Sequence, residues 1–254
     1  MTNNYTIAEY CTLPSMGKVY TDLVVNPEIK LRSMTTVEEM RRLSPTDKPY
    51  QNLCSIIDDC KVEGAENLSC YDMCFGDYQF LLYKLRSVTY GGEYEGQCTC
   101  PICGTLNKGK FNIDDLPIKY YTEDVEKKRE FVLPITNAKV RLRLKTPRIL
   151  DSIQSRIKEY KAKTTTFDST IMYSIKSSIE KIDDANPDPV YFEQWIKELP
   201  MKDTNLILKM SDKLDSLIGI DTTLIYTCEN CGLPFTSKLK TDNEFFRPAL
   251  DLEW

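Results

Sequence analysis

The chain reads Cys100-Pro101-Ile102-Cys103-Gly104 near its middle and Cys228-Glu229-Asn230-Cys231-Gly232 near its end. Each stretch is a zinc knuckle by pattern. Two thiolates converge on one metal, and the tight turn between them points backbone N–H groups at the sulfurs. The trailing glycine supplies the positive φ that the turn asks for. Laying Gly104 on Gly232 also puts Thr99 on Thr227, Lys110 on Lys238 and Phe111 on Leu239. Chance does not readily give two CxxC pairs the same glycine and the same flanks. Tyr94–Lys110 and Leu224–Lys238 therefore read as two β-hairpins, each with a knuckle at its tip. Together they would clasp one structural Zn2+ per chain through Cys100, Cys103, Cys228 and Cys231, the four-sulfur set that structural zinc prefers.

The separation of the two pairs is unusual. A compact four-cysteine module spaces them by roughly 15–20 residues, whereas here everything from Gly104 to Thr227 intervenes. The metal would fasten the two ends of a long insertion, making a split zinc ribbon. Two other readings stay open at this level. A thioredoxin-like redox CxxC needs one motif in a βαβ setting. Alternatively, the residues are simply reduced structural cysteines. Cys98 is a spare sulfur, but it aligns with Tyr226, which suits packing better than ligation. Cys11, Cys54, Cys60, Cys70 and Cys74 read as buried small side chains.

Composition narrows the function classes. A chain of 254 residues, 41% hydrophobic and 28% charged, has the make-up of an ordinary soluble globular protein. Its net charge of −5 argues against nucleic acid as a whole-surface partner. No apolar run approaches the roughly 20 residues of a membrane span. Met1–Tyr10 lacks a basic-then-apolar leader, so no signal peptide is read and a reducing cytoplasm is expected for the ten cysteines. There is no histidine. That excludes Ser–His–Asp and Cys–His nucleophilic sites, which need an imidazole to move the proton. A zinc closed by four thiolates has no open position and cannot activate water. No phosphate-binding glycine loop is present. The expectation is a protein that is not an enzyme.

Outside the knuckles, short strands are expected at Leu23–Val25 and Glu28–Ser33. A Thr36/Glu39 capping box should open a helix running to Arg42. Pro49 should begin a second helix and Asp77 a third, which Gly91-Gly92 would stop. In the insertion, Phe131–Pro134 and Ala138–Lys145 alternate apolar and polar residues, as a hairpin with one buried face does. Four helices are expected to follow. The first carries Ile149, Ile153 and Ile157. The second runs over Asp168–Lys181, the third over Tyr191–Leu199 and the fourth over Asp203–Leu217. The fold class is thus α+β. The organisation is an N-terminal arm and helical region (1–93), the split ribbon (94–117 and 221–241), a mostly helical insertion entered by a β-hairpin (118–220) and an apolar tail (242–254).

Three other features invite functional readings. Lys139–Lys163 is rich in lysine and arginine, which suits an acidic partner or merely a solvated strand and helix. Asp58-Asp59 and Asp183-Asp184 are adjacent carboxylates, more simply read as exposed charges than as acid–base pairs. The helix from Asp77 to Val88 is apolar on more than one side. With the tail Phe245–Trp254 it could dock on another protein or complete this chain's own core.

The order of several segments resembles a known family. Leu13-Pro14-Ser15-Met16-Gly17 is followed by Val37-Glu38-Glu39-Met40. Then come Phe75-Gly76-Asp77-Tyr78, Phe80-Leu81-Leu82-Tyr83-Lys84-Leu85-Arg86 and Tyr90-Gly91-Gly92-Glu93-Tyr94. The first knuckle and Asp114-Asp115-Leu116-Pro117 complete the series. Over roughly residues 10–120 this is similar to the baseplate hub assembly proteins of T4-like contractile-tailed bacteriophages. The glycine pair at 91–92 departs from the single glycine expected there. The resemblance implies a non-enzymatic factor that works through contacts with other phage tail baseplate hub proteins. It would act in the host cytoplasm during tail assembly, as an assembly chaperone or as a component retained in the virion. The alternative from a different class is a zinc-ribbon nucleic-acid-binding or transcription-associated factor.

Overall fold

A computed structural model describes residues 6–163, 169–239 and 243–246. The N-terminal part contains β1 (Ala8–Thr12), β2 (Glu28–Arg32), α1 (Thr36–Arg42), α2 (Pro49–Cys60), β3 (Lys61–Glu63) and α3 (Phe75–Tyr90). The three strands form an antiparallel sheet in the order β1-β2-β3. The pleat sends Ile29 and Leu31 into the core. It leaves Lys30 on the outer face, where its ammonium lies 3.1 Å from Glu63 and its register partner is Tyr10.

α3 is the axis of this half. Phe80, Leu81, Leu82, Tyr83, Leu85 and Val88 are all buried, which a helix apolar on several sides requires. The cover comes from this chain, through α2, β2, the strand Gly219–Ile220 and the short turn Asn243–Phe246. Phe245 and Phe246 belong to the same core. The face of α3 considered above as a docking surface is therefore internal, and so are the first two aromatics of the tail. Leu250–Trp254 lie outside the described residues.

The chain continues through β4 (Glu93–Thr99), β5 (Leu106–Asn112), β6 (Ile118–Lys119), α4 (Asp124–Lys128), β7 (Glu130–Val132), β8 (Lys139–Leu142), α5 (Pro147–Lys163), α6 (Thr170–Ser178), β9 (Ile179–Ile182), α7 (Phe192–Glu198) and α8 (Met201–Asp215). It ends in β10 (Gly219–Ile220), β11 (Thr223–Thr227) and β12 (Pro234–Lys238). β7, β8 and β9 make a second three-stranded sheet. A second core forms under it from Leu133, Val140, Leu142, Ile175, Ile207 and Leu214, among others. β6 and β10 pair antiparallel, Lys119 opposite Gly219, so the segment between them leaves and returns through one narrow neck. There Gly219, at φ +112°, lies against Gly76, and a Cβ on Gly219 would come within 2.8 Å of the Gly76 Cα.

The class is α+β, with helices and several small antiparallel sheets, and four local expectations need correction. Leu23–Val25 is not a strand; a turn closes at Leu23, whose amide donates to the Tyr20 carbonyl at 3.2 Å. β1 had no clear periodicity in the sequence. The capping box is one residue earlier, at Thr35 and Glu38, because two consecutive threonines and two consecutive glutamates offer both registers. α3 begins at Phe75 rather than Asp77. α6 stops at Ser178, and Ile179–Ile182 crosses to the sheet beside β8. Ile179 satisfies helical spacing from Ile171 and Ile175, yet it is buried equally well from a strand. The expected start of that helix at Asp168 lies outside the described residues. No helix among the described residues is long and apolar enough to cross a membrane.

Candidate metal centre

Two hairpins, β4–β5 and β11–β12, carry the cysteine pairs, and their registers repeat residue for residue. Thr99 faces Leu106, Cys98 faces Asn107 and Glu95 faces Lys110 in the first. At the aligned positions Thr227 faces Pro234, Tyr226 faces Phe235 and Thr223 faces Lys238 in the second. The turns repeat as well. Cys100 N–H donates to the Thr105 carbonyl at 2.8 Å, and Cys228 N–H to the Leu233 carbonyl at 3.1 Å. Gly104 and Gly232 close the turns with φ of +75° and +69°, the left-handed geometry expected of them.

The tips meet. The sulfurs of Cys100, Cys103, Cys228 and Cys231 all lie within 4.8 Å of one another, close enough to bind a metal ion. Cys100 and Cys231 are 3.9 Å apart and Cys103 and Cys228 3.5 Å, and both of these contacts join one knuckle to the other. Cys100 and Cys228 are buried at the back of the cluster, while Cys103 faces solvent. The surroundings favour thiolate at two positions. The Thr105 hydroxyl and amide pull the Cys103 thiol down to about 6. The amides of Cys231 and Asn230 hold Cys228 below its ordinary value. At Cys231 the Leu233 amide acts in the same direction, but burial and the neighbouring thiols win and push it to about 11. A cluster whose sulfurs receive backbone N–H groups, but which cannot carry four negative charges unaided, is chemically suited to a cation.

Two supports for this geometry escaped the sequence reading. Asn107 is buried and spans both knuckles: its amide nitrogen donates to the Thr105 carbonyl at 2.9 Å, and its carbonyl oxygen accepts from Glu229 N–H at 2.9 Å. The second support is a glycine floor. Gly96 and Gly109 are cross-strand partners, and the Tyr226 ring lies over them; a Cβ on Gly109 would come within 2.8 Å of Tyr226 Cε1. The Tyr226 ring also stacks on Phe235, ring centres 5.7 Å apart. The available signal was a glycine on each strand flanking the first knuckle, Gly96 before Cys100 and Gly109 after Cys103. Cys98 packs in this cluster but is not among the four converging sulfurs.

At the opposite end of the hairpins sits Arg86, 1% exposed. Its guanidinium donates to three carbonyls: Phe245 at 3.2 Å, Glu93 at 2.7 Å and Gly91. Its planar face lies 5.5 Å from the Tyr94 ring centre.

The other candidate features have structural partners. Asp58 accepts from Cys70 N–H at 2.9 Å and the Ser69 hydroxyl at 2.7 Å, and Asp59 pairs with Arg41. Asp183 accepts from Lys139 N–H at 2.8 Å, and Asp184 pairs with the Lys139 ammonium at 2.7 Å. Much of the basic stretch is likewise matched to acids. Arg141 reaches Glu126, Glu130 and Glu180, Lys145 lies 2.7 Å from Asp215, and Arg148 grips Asp72.

Fold and site together define an α+β protein whose distant segments are joined by a four-cysteine cluster. Residues 6–247 match the family described as T4 bacteriophage base plate protein. The match covers nearly the whole chain and includes both knuckles, and the chain belongs to that family. Membership makes it a structural component of a phage tail baseplate, in contact with other tail proteins. No curated protein and no solved structure matches it.

Proposed function

We propose that this chain is a baseplate hub protein that acts in tail assembly through protein–protein contacts, without catalysis, on a frame held by one structural zinc. The observation that carries this reading is the family match from residue 6 to residue 247, which spans both cysteine pairs. Cys100, Cys103, Cys228 and Cys231 would hold the ion. Four Zn–S bonds of about 2.3 Å need sulfurs about 3.8 Å apart, and two inter-knuckle pairs stand at 3.9 and 3.5 Å. When bound, the ion supplies a cross-link; it has no free coordination position for water. The two hairpins then form a split zinc ribbon (94–117 and 221–241). It sits between an N-terminal region (1–93), the insertion (118–220) and the C-terminal tail (242–254).

The chain would act in the host cytoplasm while the tail is assembled and remain in the virion baseplate. The nucleic-acid alternative loses support where Arg141, Lys145 and Arg148 are paired with carboxylates, since a phosphate-binding surface needs free cations. The test is affinity purification of the chain from infected cells. Baseplate hub proteins should co-purify, and particles isolated from the lysate should contain the chain. Recovery of nucleic acid instead of tail proteins contradicts the proposal.

A further inference from the structure

The two edges of the N-terminal sheet differ. β3, at one edge, is three residues long, carries Lys61 and Glu63, and meets β2 through a register shift. Short length, charge and irregularity keep a sheet edge from pairing with another chain. β1, at the other edge, has no proline and no lysine, and its five residues pair with β2 in an unbroken register. Its outward backbone groups follow from the ladder. Ser33 N–H donates to the Ile7 carbonyl at 2.7 Å and Leu13 N–H to the Pro27 carbonyl at 2.8 Å, so the odd-numbered residues are the ones bonded to β2. In an antiparallel pair the alternate residues turn their N–H and C=O to the other side. These are Ala8, Tyr10 and Thr12, and no backbone partner for them stands among the described residues.

A groove of about 270 Å³ borders this edge at Tyr10, Cys11 and Thr12. Phe80 and Tyr83 of α3 line it, together with Ile113, Leu116 and Ile118, so its walls are largely apolar. The segment that carries Ile118 joins the chain just past β1, where Tyr121 N–H donates to the Pro14 carbonyl at 2.8 Å. Yet β6 pairs with β10 and β1 with β2, and β1 and β6 are not partners. Asp221 N–H donates to the Pro117 carbonyl and Lys119 lies opposite Gly219, so the backbone groups of Ile118 turn away from β10. The groove is thus bordered by two strands that both have unpaired backbone. That argues for one extended segment as its occupant rather than the folded sheet of a second copy. Charge narrows the choice. Lys84 also lines the groove, its ammonium 2.6 Å from Glu9 and 3.9 Å from Asp114. Two half-exposed carboxylates share one cation, and a lysine or arginine on the incoming segment would complement the excess negative charge.

Resting on the hub reading above, we propose that β1 is a docking edge: an extended segment of another tail protein adds to the sheet as a strand beside it. The main chain of that segment bonds to Ala8, Tyr10 and Thr12. Its alternate side chains are apolar and enter the groove, and a basic side chain meets Glu9 and Asp114. Main-chain hydrogen bonds supply the affinity, while the groove and its carboxylates supply the specificity.

The experiment captures tail proteins from infected cells on the full chain and identifies them by mass spectrometry. The parent is compared with Tyr10→Ala and Tyr10→Pro, each checked for folding by circular dichroism. Both variants lose the hydrogen bond from the Tyr10 hydroxyl to Glu63. Only proline also removes the outward N–H, and it spares the ladder to β2, as proline on a sheet edge does. Capture should persist in Tyr10→Ala and fall roughly tenfold in Tyr10→Pro, about the worth of one hydrogen bond. In the parent, hydrogen exchange over Ala8–Thr12 should slow by a similar factor when the captured protein is bound, a readout that needs no variant to fold. A photo-crosslinking amino acid placed at Thr12 should join to a partner segment with apolar residues at alternate positions and a lysine or arginine among them. Undiminished capture by a folded Tyr10→Pro chain, equal loss in both variants, or unchanged exchange in the complex overturns the docking edge. So does a cross-link to this chain's own sequence, whether from a second copy or from its C-terminal tail. A parent that captures no tail protein overturns the hub reading and the docking edge with it, whereas a captured protein indifferent to Tyr10→Pro overturns the docking edge alone.

Discussion

The ring of Tyr226 lies so close over Gly109 that a single added methyl group would stand 2.8 Å from its Cε1 atom. The contact joins residues far apart in sequence and occupies the centre of the hairpin pair. It also breaks the local repeat, because the second hairpin has Ser237 where the first has Gly109 and the first has Cys98 where the second has Tyr226.

Gly109→Ala is therefore expected to force the hairpins apart and to lower stability by about 1–3 kcal/mol, the usual cost of overpacking. The penalty depends on the ring. In a Tyr226→Ala background the same substitution should cost almost nothing, and a double-mutant cycle in urea reads the difference. An equal cost in both backgrounds would assign the glycine's role to its backbone instead.

Features set by neighbours in sequence were legible from the residues alone. The cysteine spacing and its glycine brought four side chains from distant positions to one cluster. Pro49 marked the start of α2, and alternation at Val140 and Leu142 marked β8. Features set by distant partners were not legible. β1 exists because β2 pairs with it, residue Ala8 opposite Arg32. Ile179 leaves its helix because β8 offers an open edge. Asn107 reads as an ordinary strand residue until Glu229 arrives from the other end of the chain. Gly96 and Gly109 reveal their purpose only when Tyr226 is placed on them.

Two buried aspartates should show opposite pH signatures. Asp77 is buried among neutral donors, the Ser15 amide at 2.9 Å, the Ser15 hydroxyl at 2.5 Å and the Tyr20 hydroxyl at 2.6 Å. Burial raises its carboxyl above the ordinary 3.8, and those hydrogen bonds only partly oppose it. Its folded pKa is therefore above its unfolded one. Its contribution to stability is full below about pH 4 and declines as pH rises through the folded value. Asp203 is buried too, but two amides and a hydroxyl from Ile135 and Thr136 overcome the burial and lower its pKa. Its contribution is present above the unfolded value and is lost as pH falls. Urea unfolding between pH 3 and pH 7 checks both. The stability advantage of the parent over Asp77→Asn should shrink with rising pH, and that over Asp203→Asn should grow. A pH-independent difference for either contradicts its assignment.

Arg86→Ala removes the donor that three carbonyls share and leaves a cavity beside Tyr94. A loss of roughly 1.5–3 kcal/mol is expected from the charged hydrogen bonds alone. Arg86→Lys should recover only part of it, since one ammonium cannot reproduce a planar fork stacked on a ring. Thermal unfolding of the three chains side by side gives the order. A lysine variant as stable as the parent would show that charge, not geometry, is what this end of the hairpins requires.

One zinc, held by four thiolates, is proposed to join the two hairpins. Native mass spectrometry with elemental analysis tests it most directly, on the parent chain and on Cys103→Ser and Cys231→Ser purified under reducing conditions. Sulfur-only tetrahedral sites also accept iron, so the element must be identified as well as counted. One zinc per parent chain is expected, with substoichiometric metal and lowered stability in both variants. A folded parent chain with no metal and four freely alkylated knuckle cysteines would contradict the claim.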